Sequence, residues 1–397
     1  MKQFAIPFKQ KKRIEELMLL LSLLLLGSCN NQSEWLKHEE NGKIIYISEE
    51  NLNDKIYEEE IYDTVVFKPI YLPDSILIGN IQEIDYNDKY YFALDGQNER
   101  VYQFDKNWNF INLLDSKGGG PKEYNQIFNI NVNDQFLIIN DLWQVLHYDV
   151  ETLDFISYYS KNHMGFKTYV TQDCHVINHQ LNSPMDDTDF NITTYNYEND
   201  SIVYRNHKIR PSFREFTFSQ KNHFYNNGLS EFFVLPYNDT IYKVQNGEFS
   251  IHRIIDFGEF KLNTSNLTGQ VTVKDISRSG KAFFVGDYFE NEKFELFSFT
   301  LDGDRFKYQI NKKTGMGIGY SSLMQTRSIF HIPVKYNLLK ENYAISFKNI
   351  EDANFELSSI LSRSESLPIN LKKTLDHFEK KLKKASGLIV EYQLKEQ

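Results

Sequence analysis

A pair of short strands recurs along this chain roughly every 45 residues, and a period of that length leaves few architectures open. One unit reads Tyr91-Phe92-Ala93-Leu94-Asp95, a short polar turn, then Val101-Tyr102-Gln103-Phe104-Asp105. The next reads Phe136-Leu137-Ile138-Ile139-Asn140-Asp141, a turn, then Val145-Leu146-His147-Tyr148-Asp149. Related stretches follow at Asn191–Tyr197, at Phe232–Leu235 with Thr240–Val244, and at Ala282–Gly286 with Phe294–Thr300; Tyr343–Asn349 is a weaker copy. The aromatic anchors Phe104, Tyr148, Tyr195, Tyr242, Phe299 and Phe347 stand 44, 47, 47, 57 and 48 residues apart. Units of this length with about four strands each are propeller blades. The expected fold is therefore all-β, a six-bladed β-propeller. With 25 Tyr, 31 Phe and 3 Trp, the chain has the aromatic content that pleated, half-buried surfaces favour.

The two ends depart from the repeat. Lys2, Lys9, Lys11, Lys12 and Arg13 precede the apolar run Leu17–Leu26. At ten residues the run is too short to span a ~30 Å hydrocarbon core but fits the apolar core of a signal peptide. Residues 1–28 are expected to be that signal, and 29–61, polar and charged, an irregular tether and lead-in. The propeller is expected over 62–397. Near the C-terminus, Leu371, Leu375, Phe378 and Leu382 have helical spacing, and Gly387 marks a stop for one amphipathic helix over 364–386. The strand after it, Leu388–Leu394, is expected to pair with Thr64–Tyr71 and close the ring, removing its open edges.

Leu26-Gly27-Ser28-Cys29 resembles the bacterial lipobox, in which the cysteine is acylated and becomes the first residue after cleavage. The resemblance implies a lipid, palmitate among its chains, on Cys29 and a membrane as one partner. Only Cys174 would then remain as a thiol, so no internal disulfide forms. Together with the loop Gly118-Gly119-Gly120-Pro121-Lys122-Glu123-Tyr124 and the turn Asn238-Asp239-Thr240-Ile241-Tyr242, the chain resembles the six-bladed β-propeller lipoproteins of Gram-negative bacteria. That family's loop reads Gly-x-Gly-Pro-Gly-Glu-Tyr, and Lys122 replaces its third glycine. The resemblance covers about Tyr62 to Leu394 and speaks to fold rather than activity.

Known chemical signatures are few. No Lys-Ser/Thr follows the glycine loop as a P-loop requires, and Tyr320 occupies the third-glycine position of Gly315-Met316-Gly317-Ile318-Gly319-Tyr320. His175 and His179 would lie ~13 Å apart along a strand, too far to share an ion with each other and Cys174. The acidic stretches Asp186-Asp187-Thr188-Asp189 and Asp302-Gly303-Asp304 read as turns before they read as calcium loops. No Gly-x-Ser-x-Gly or His-Glu-x-x-His occurs. No metal or cofactor is expected. Without residues 1–28 the chain carries 39 Lys and Arg against 52 Asp and Glu, which argues against nucleic acid as a partner. On the C-terminal helix, Lys372, Lys373, Lys380, Lys381, Lys383 and Lys384 read as a solvated face.

Propeller geometry gives the candidate ligand face. Turns between second and third strands share one end of the ring with the crossovers between blades. The turn candidates are Asp95, Arg100, Asp141, Trp143, Asn238, Asp287 and Tyr288; the crossover candidates are Lys122, Glu123, Tyr124, His163, Arg210, Arg214 and Tyr320. Aromatic and charged groups in such a place suit a glycan, a peptide or an envelope protein. Four Asp-Ser/Thr-aliphatic triplets, at Thr64, Ser75, Ser201 and Thr240, resemble an O-glycosylation signal of exported bacterial proteins. The expectation is a non-catalytic binding or scaffolding module in the cell envelope, anchored to the outer rather than the inner membrane, with the propeller in the periplasm or at the surface. The alternative is a propeller lyase or hydrolase acting on carbohydrate or a lactone.

Overall fold

A computed structural model describes residues 43–395, apart from 162–164, 172–174, 183–188, 197–200, 210–222, 227–229, 264–275, 277, 325–336 and 363–368. Six antiparallel sheets form the ring of a β-propeller. From the innermost strand outward, blade one is Ile81–Tyr86, Tyr90–Asp95, Arg100–Asp105 and Phe110–Leu114. Blade two is Asn129–Val132, Phe136–Asn140, Gln144–Asp149 and Phe155–Ser160. Blade three is Lys167–Val170, His175–His179, Phe190–Asn196 and Ile202–Lys208. Blade four runs Phe224–Asn226, Glu231–Val234, Thr240–Gln245 and Glu248–Asp256. Blade five runs Phe283–Glu290, Phe294–Leu301, Asp304–Asn311 and Gly317–Met324. Blade six takes Leu338–Lys340, Tyr343–Asn349 and Gly387–Leu394 from the C-terminal region and its outer strand, Tyr62–Ile70, from the N-terminal region. Gly387 faces Ile70 and Gln393 faces Thr64 across that last pairing.

The local chemistry that makes a blade is repeated. Asn87, Asn133 and Asn291 each turn the chain from first to second strand, their Oδ1 accepting amides two and three residues on. Asp149 and Asn311 do the same between third and fourth strands, and Asp105 there accepts the amides two and four residues on. Blade centres are apolar: Phe92, Leu94 and Val101 of blade one pack with Ile130, Leu137 and Tyr148 of blade two. These sheet-on-sheet contacts hold the ring together.

The structure departs from the sequence reading in three places. Part of the expected lead-in is ordered: Ile44–Tyr46 adds a parallel fifth strand to blade four and Leu52–Tyr57 one to blade five. Ile45 and Ile56 are buried there, and polar neighbours hid these short strands. Second, the repeat slips one strand in phase: Tyr242 lies in the third strand of its blade, whereas Phe299 and Phe347 lie in second strands. The 57-residue interval combines that slip, which shortens it, with a long crossover between Asp256 and Phe283, which more than restores the length. Third, Ile350–Ser362 forms a helix, α1, before helix α2, Ile369–Leu382. The two stand between the second and third strands of blade six, and Ala353, Leu357, Leu375 and Leu382 bury against that blade. Among the described residues no helix is long and apolar enough to cross a membrane.

Candidate functional site

Successive strands run in opposite directions, so the first-to-second turns of all blades lie at one end of the ring. The second-to-third turns and the crossovers lie at the other, and most sequence candidates were assigned to that second end. Asp95 is fully buried there. Its carboxylate accepts the amides of Gly79, Asn80, Gln97 and Asn98 at 2.7–3.2 Å. Burial pushes that carboxyl up, but the donors outweigh burial and hold it below the usual range. Asp141 is its blade-two counterpart and accepts the Asn125 amide at 2.8 Å. Both carboxylates pin crossovers to strand ends.

The glycine loop is a packed crossover. Tyr124 is buried, its hydroxyl donating to Glu99 O at 2.9 Å and accepting from Ser116 N at 3.1 Å. Glu123 accepts the Gly120 amide at 2.8 Å, and a Cβ on Gly118 would fall onto that held carboxylate. The Lys122 carbonyl accepts from the Tyr148 hydroxyl. Arg100 pairs with Asp115 at 2.9 Å, and Asn238 forms its own turn by accepting the Thr240 amide. Trp143 is 55% exposed and so offers a free aromatic surface.

Three candidates lie elsewhere than expected. Asp287 and Tyr288 belong to the inner strand Phe283–Glu290, where Asp287 pairs with Arg305 and Tyr288 is buried. Tyr320 lies in the outer strand Gly317–Met324, 1% exposed. Because of the phase slip, the real second-to-third turn of blade five is Asp302-Gly303. Cys29, His163, Arg210 and Arg214 lie outside the described residues. Of the hydroxyls proposed for glycosylation, Thr64, Ser75 and Ser201 are exposed and Thr240 is half-buried. Thr64 Oγ1 donates to Gln393 at 2.8 Å.

The described cavities sit on the axis and at the opposite end. All six inner strands or their flanks line a narrow throat: Glu83, Ile84 and Asp85, then Asn131, Tyr169, Phe224–Asn226, Phe289, Glu290 and Asn337–Leu339. The throat shares Asp85, Asn131, Tyr169 and Asn226 with a vestibule of about 450 Å³. First-to-second turns bound that vestibule with Tyr86, Asn87, Asp88, Asn133, Asp134 and Gln135, and Glu231 joins them from blade four. Among the described residues, no Lys, Arg or His lines either space.

The throat carboxyls differ in state. Asp85 accepts the amides of Tyr86 and Val132, both at 2.8 Å, and so ties blade one to the inner strand of blade two. Burial, reinforced by nearby Glu83, outweighs those amides and pushes Asp85 up to about 7. Glu290 is set the other way. Burial raises it, but His252, Lys312 and Tyr288, all at 2.6 Å, overturn that and hold it at about 2. Tyr169 donates to Glu231 at 3.2 Å and Tyr225 to Gly286 O at 2.8 Å. Gly286 has φ +86°, a conformation that favours glycine, where the inner strand of blade five bulges.

Sequence reasoning missed this end of the ring. The signal was available in the recurring turns Asn87-Asp88-Lys89-Tyr90 and Asn133-Asp134-Gln135-Phe136, which mark first-to-second turns. It also missed a polar seam between blades two and three. There Lys161 donates to Asn140 Oδ1 at 2.7 Å, and burial lowers its amine to about 7. Among the described residues no group of three His, Cys, Asp or Glu is arranged to hold a metal ion.

In fold the chain is similar to a protein from Bacteroides fragilis NCTC 9343 provisionally assigned as exported. The identity is 16% and the TM-score 0.67, over 89% of this chain and 99% of that one. A member of the DUF4221 family from Bacteroides vulgatus ATCC 8482 is 7% identical, TM-score 0.40, over 65% and 84%. The extracellular domain of a provisionally assigned one-component system from Bacteroides thetaiotaomicron is 11% identical, TM-score 0.34, over 64% and 29%. No curated protein matches the sequence. Residues 42–388 match the model of a family described as a domain of unknown function, DUF4934, and the chain belongs to that family.

Proposed function

We propose that this chain is an exported, lipid-anchored envelope protein whose propeller binds a glycan, peptide or protein ligand at the axial vestibule. The vestibule is the observation that carries this reading. Its volume of about 450 Å³ suits a small ligand or the tip of a larger one, and carboxylates, amides and tyrosines surround it. The fold-level likeness to a protein provisionally assigned as exported supports the location, and Leu26-Gly27-Ser28-Cys29 supplies the acylation site. Two or three acyl chains on Cys29 would hold the chain at a membrane, the outer one in preference. Cys29→Ala is then expected to move the protein to the soluble fraction and abolish fatty-acid labelling. Labelling that persists in the variant would remove the anchor from the proposal.

The binding role is tested by screening the full chain against oligosaccharide and peptide arrays and titrating any hit. Asp134→Lys, on the vestibule rim, should abolish binding, while Trp143→Ala, at the other end of the ring, should leave it intact. The reverse pattern would move the ligand to the opposite face and overturn the vestibule assignment. A lyase or hydrolase is the second reading, and one observation favours it: a carboxyl near pH 7 at Asp85 is suited to general acid–base work. Turnover of a polysaccharide or lactone that disappears in a folded Asp85→Asn variant would replace binding with catalysis.

A further inference from the structure

We propose that the vestibule selects ligands carrying a primary ammonium group. This rests on the binding role above and adds the charge class of the ligand. Asp85, Asp88 and Asp134 come from blades one and two and Glu231 from blade four, and among the described residues no basic side chain lines the space they bound. Lys106 and Lys340 reach the Tyr86 ring from 5.6 and 5.2 Å but line neither cavity. Lys106 donates to Asn87 O on the vestibule wall, and Asp85 is pushed up to about 7, so the acidic character of the space rests on Asp88, Asp134 and Glu231.

A second observation is independent of charge. Asn131 lines both throat and vestibule, the residue is only 6% exposed, and no hydrogen bond joins its carboxamide to another described residue. Buried amides are almost always paired, because leaving one unpaired is costly. An amide held open towards a cavity is a contact for whatever fills it.

The acceptors favour an organic cation over a metal ion. A metal needs several oxygens converging at short range, and no such group is present among the described residues. Asp85 and Glu231 also have their oxygens engaged, by the Val132 amide and the Tyr169 hydroxyl. An ammonium has three donors and tolerates longer, spread contacts, so it can reach a carboxylate and Asn131 Oδ1 together. Its source is either a free amine or a lysine side chain on a peptide, and the two present the same group.

The test uses the full chain, titrated by calorimetry and NMR with cadaverine and with acetyl-Gly-Lys-Gly-amide, each beside its N-acetylated form. The amines should bind and shift the Asn131 side-chain signal, and acetylation should weaken binding about tenfold or more. Asp88→Asn and Asp134→Asn, on exposed turns, should each cost about two- to fivefold, and salt at about 0.5 M should weaken both amines. Tighter cadaverine binding assigns a free amine, and tighter peptide binding assigns a side chain. Amines that fail to bind at millimolar concentration overturn the proposal, as do acetylated forms that bind equally well. Calcium that takes the same site in their place overturns it too. A neutral or anionic ligand that shifts Asn131 and ignores Asp88→Asn and Asp134→Asn overturns the charge class and leaves the binding role standing. A ligand that instead depends on Trp143 overturns both.

Discussion

His207 shows what a single half-buried residue with an enclosed ring nitrogen costs this fold. Its ring lies 4.6 Å from Tyr242, 5.6 Å from Phe233 and 6.1 Å from Phe249, and its Nε2 is buried without a hydrogen bond. Burial among those rings lowers it to about 4. An unfolded chain would protonate this imidazole near 6.5, so between pH 6.5 and 4 the unfolded state binds the proton and the folded state does not. Its contribution is intact above pH 6.5 and is lost as pH falls towards 4. Urea unfolding of wild type should therefore lose about 2–3 kcal/mol more than His207→Asn between pH 7 and pH 4. Asn is chosen because φ at this position is +57°, a region that Asn tolerates. Parallel pH profiles would rule the account out. At this scale the sequence was legible in type and not in role. Asp95 and Asp141 stand out as strand-end acids, yet a capping carboxylate and a ligand-facing one read alike until their donors are seen. Tyr124 and Tyr288 likewise read as surface aromatics and are buried.

Elements were legible where hydrogen-bonding chemistry repeats and illegible where packing alone decides. The turns at Asn87 and Asn133 and at Asp105 and Asp149 keep blades one and two in phase, so those blades are clear in the sequence. Between blades four and five the crossover lengthens, and an aromatic anchor alone cannot tell a second strand from a third. Asn311 carries the missing signal, as the blade-five equivalent of Asp105 and Asp149. The segment Ile44–Tyr46 had no periodic signal at all, because three residues are too few for one. Its strand depends on pairing with Ile254–Asp256 and on burying Ile45 with Phe232, Ile255 and Phe299. Ile45→Ala should therefore destabilise the fold by about 2–5 kcal/mol, as for a core side chain. A thermal or urea midpoint within error of wild type would mean that this strand decorates blade four without supporting it.

Closure is a property of the whole ring. Gly387–Leu394 pairs on one side with Tyr343–Asn349 and on the other with Tyr62–Ile70, so strands from the two chain ends pair inside blade six. The ring is then sealed by side chains rather than by any disulfide. Leu388, Ile389, Val390, Tyr392 and Leu394 are each at most 1% exposed. At roughly 1.5–3 kcal/mol for each buried apolar side chain, they contribute about 8–15 kcal/mol. Net stabilities of folded domains are about 5–15 kcal/mol, so this one strand is comparable to the whole margin. Its loss would also expose pairing edges on both neighbours, including the outer strand Tyr62–Ile70, which would have no inner partner left. Deleting Leu388–Gln397 should therefore abolish the cooperative unfolding transition and give an aggregating chain on size-exclusion chromatography. Ile45→Ala, in contrast, should keep a cooperative transition at a lower midpoint. A truncated chain that remains monomeric and melts cooperatively within a few degrees of wild type would show that the ring holds without its seal. The structural basis for treating the throat and vestibule as one rigid site would then have to come from the inner strands alone.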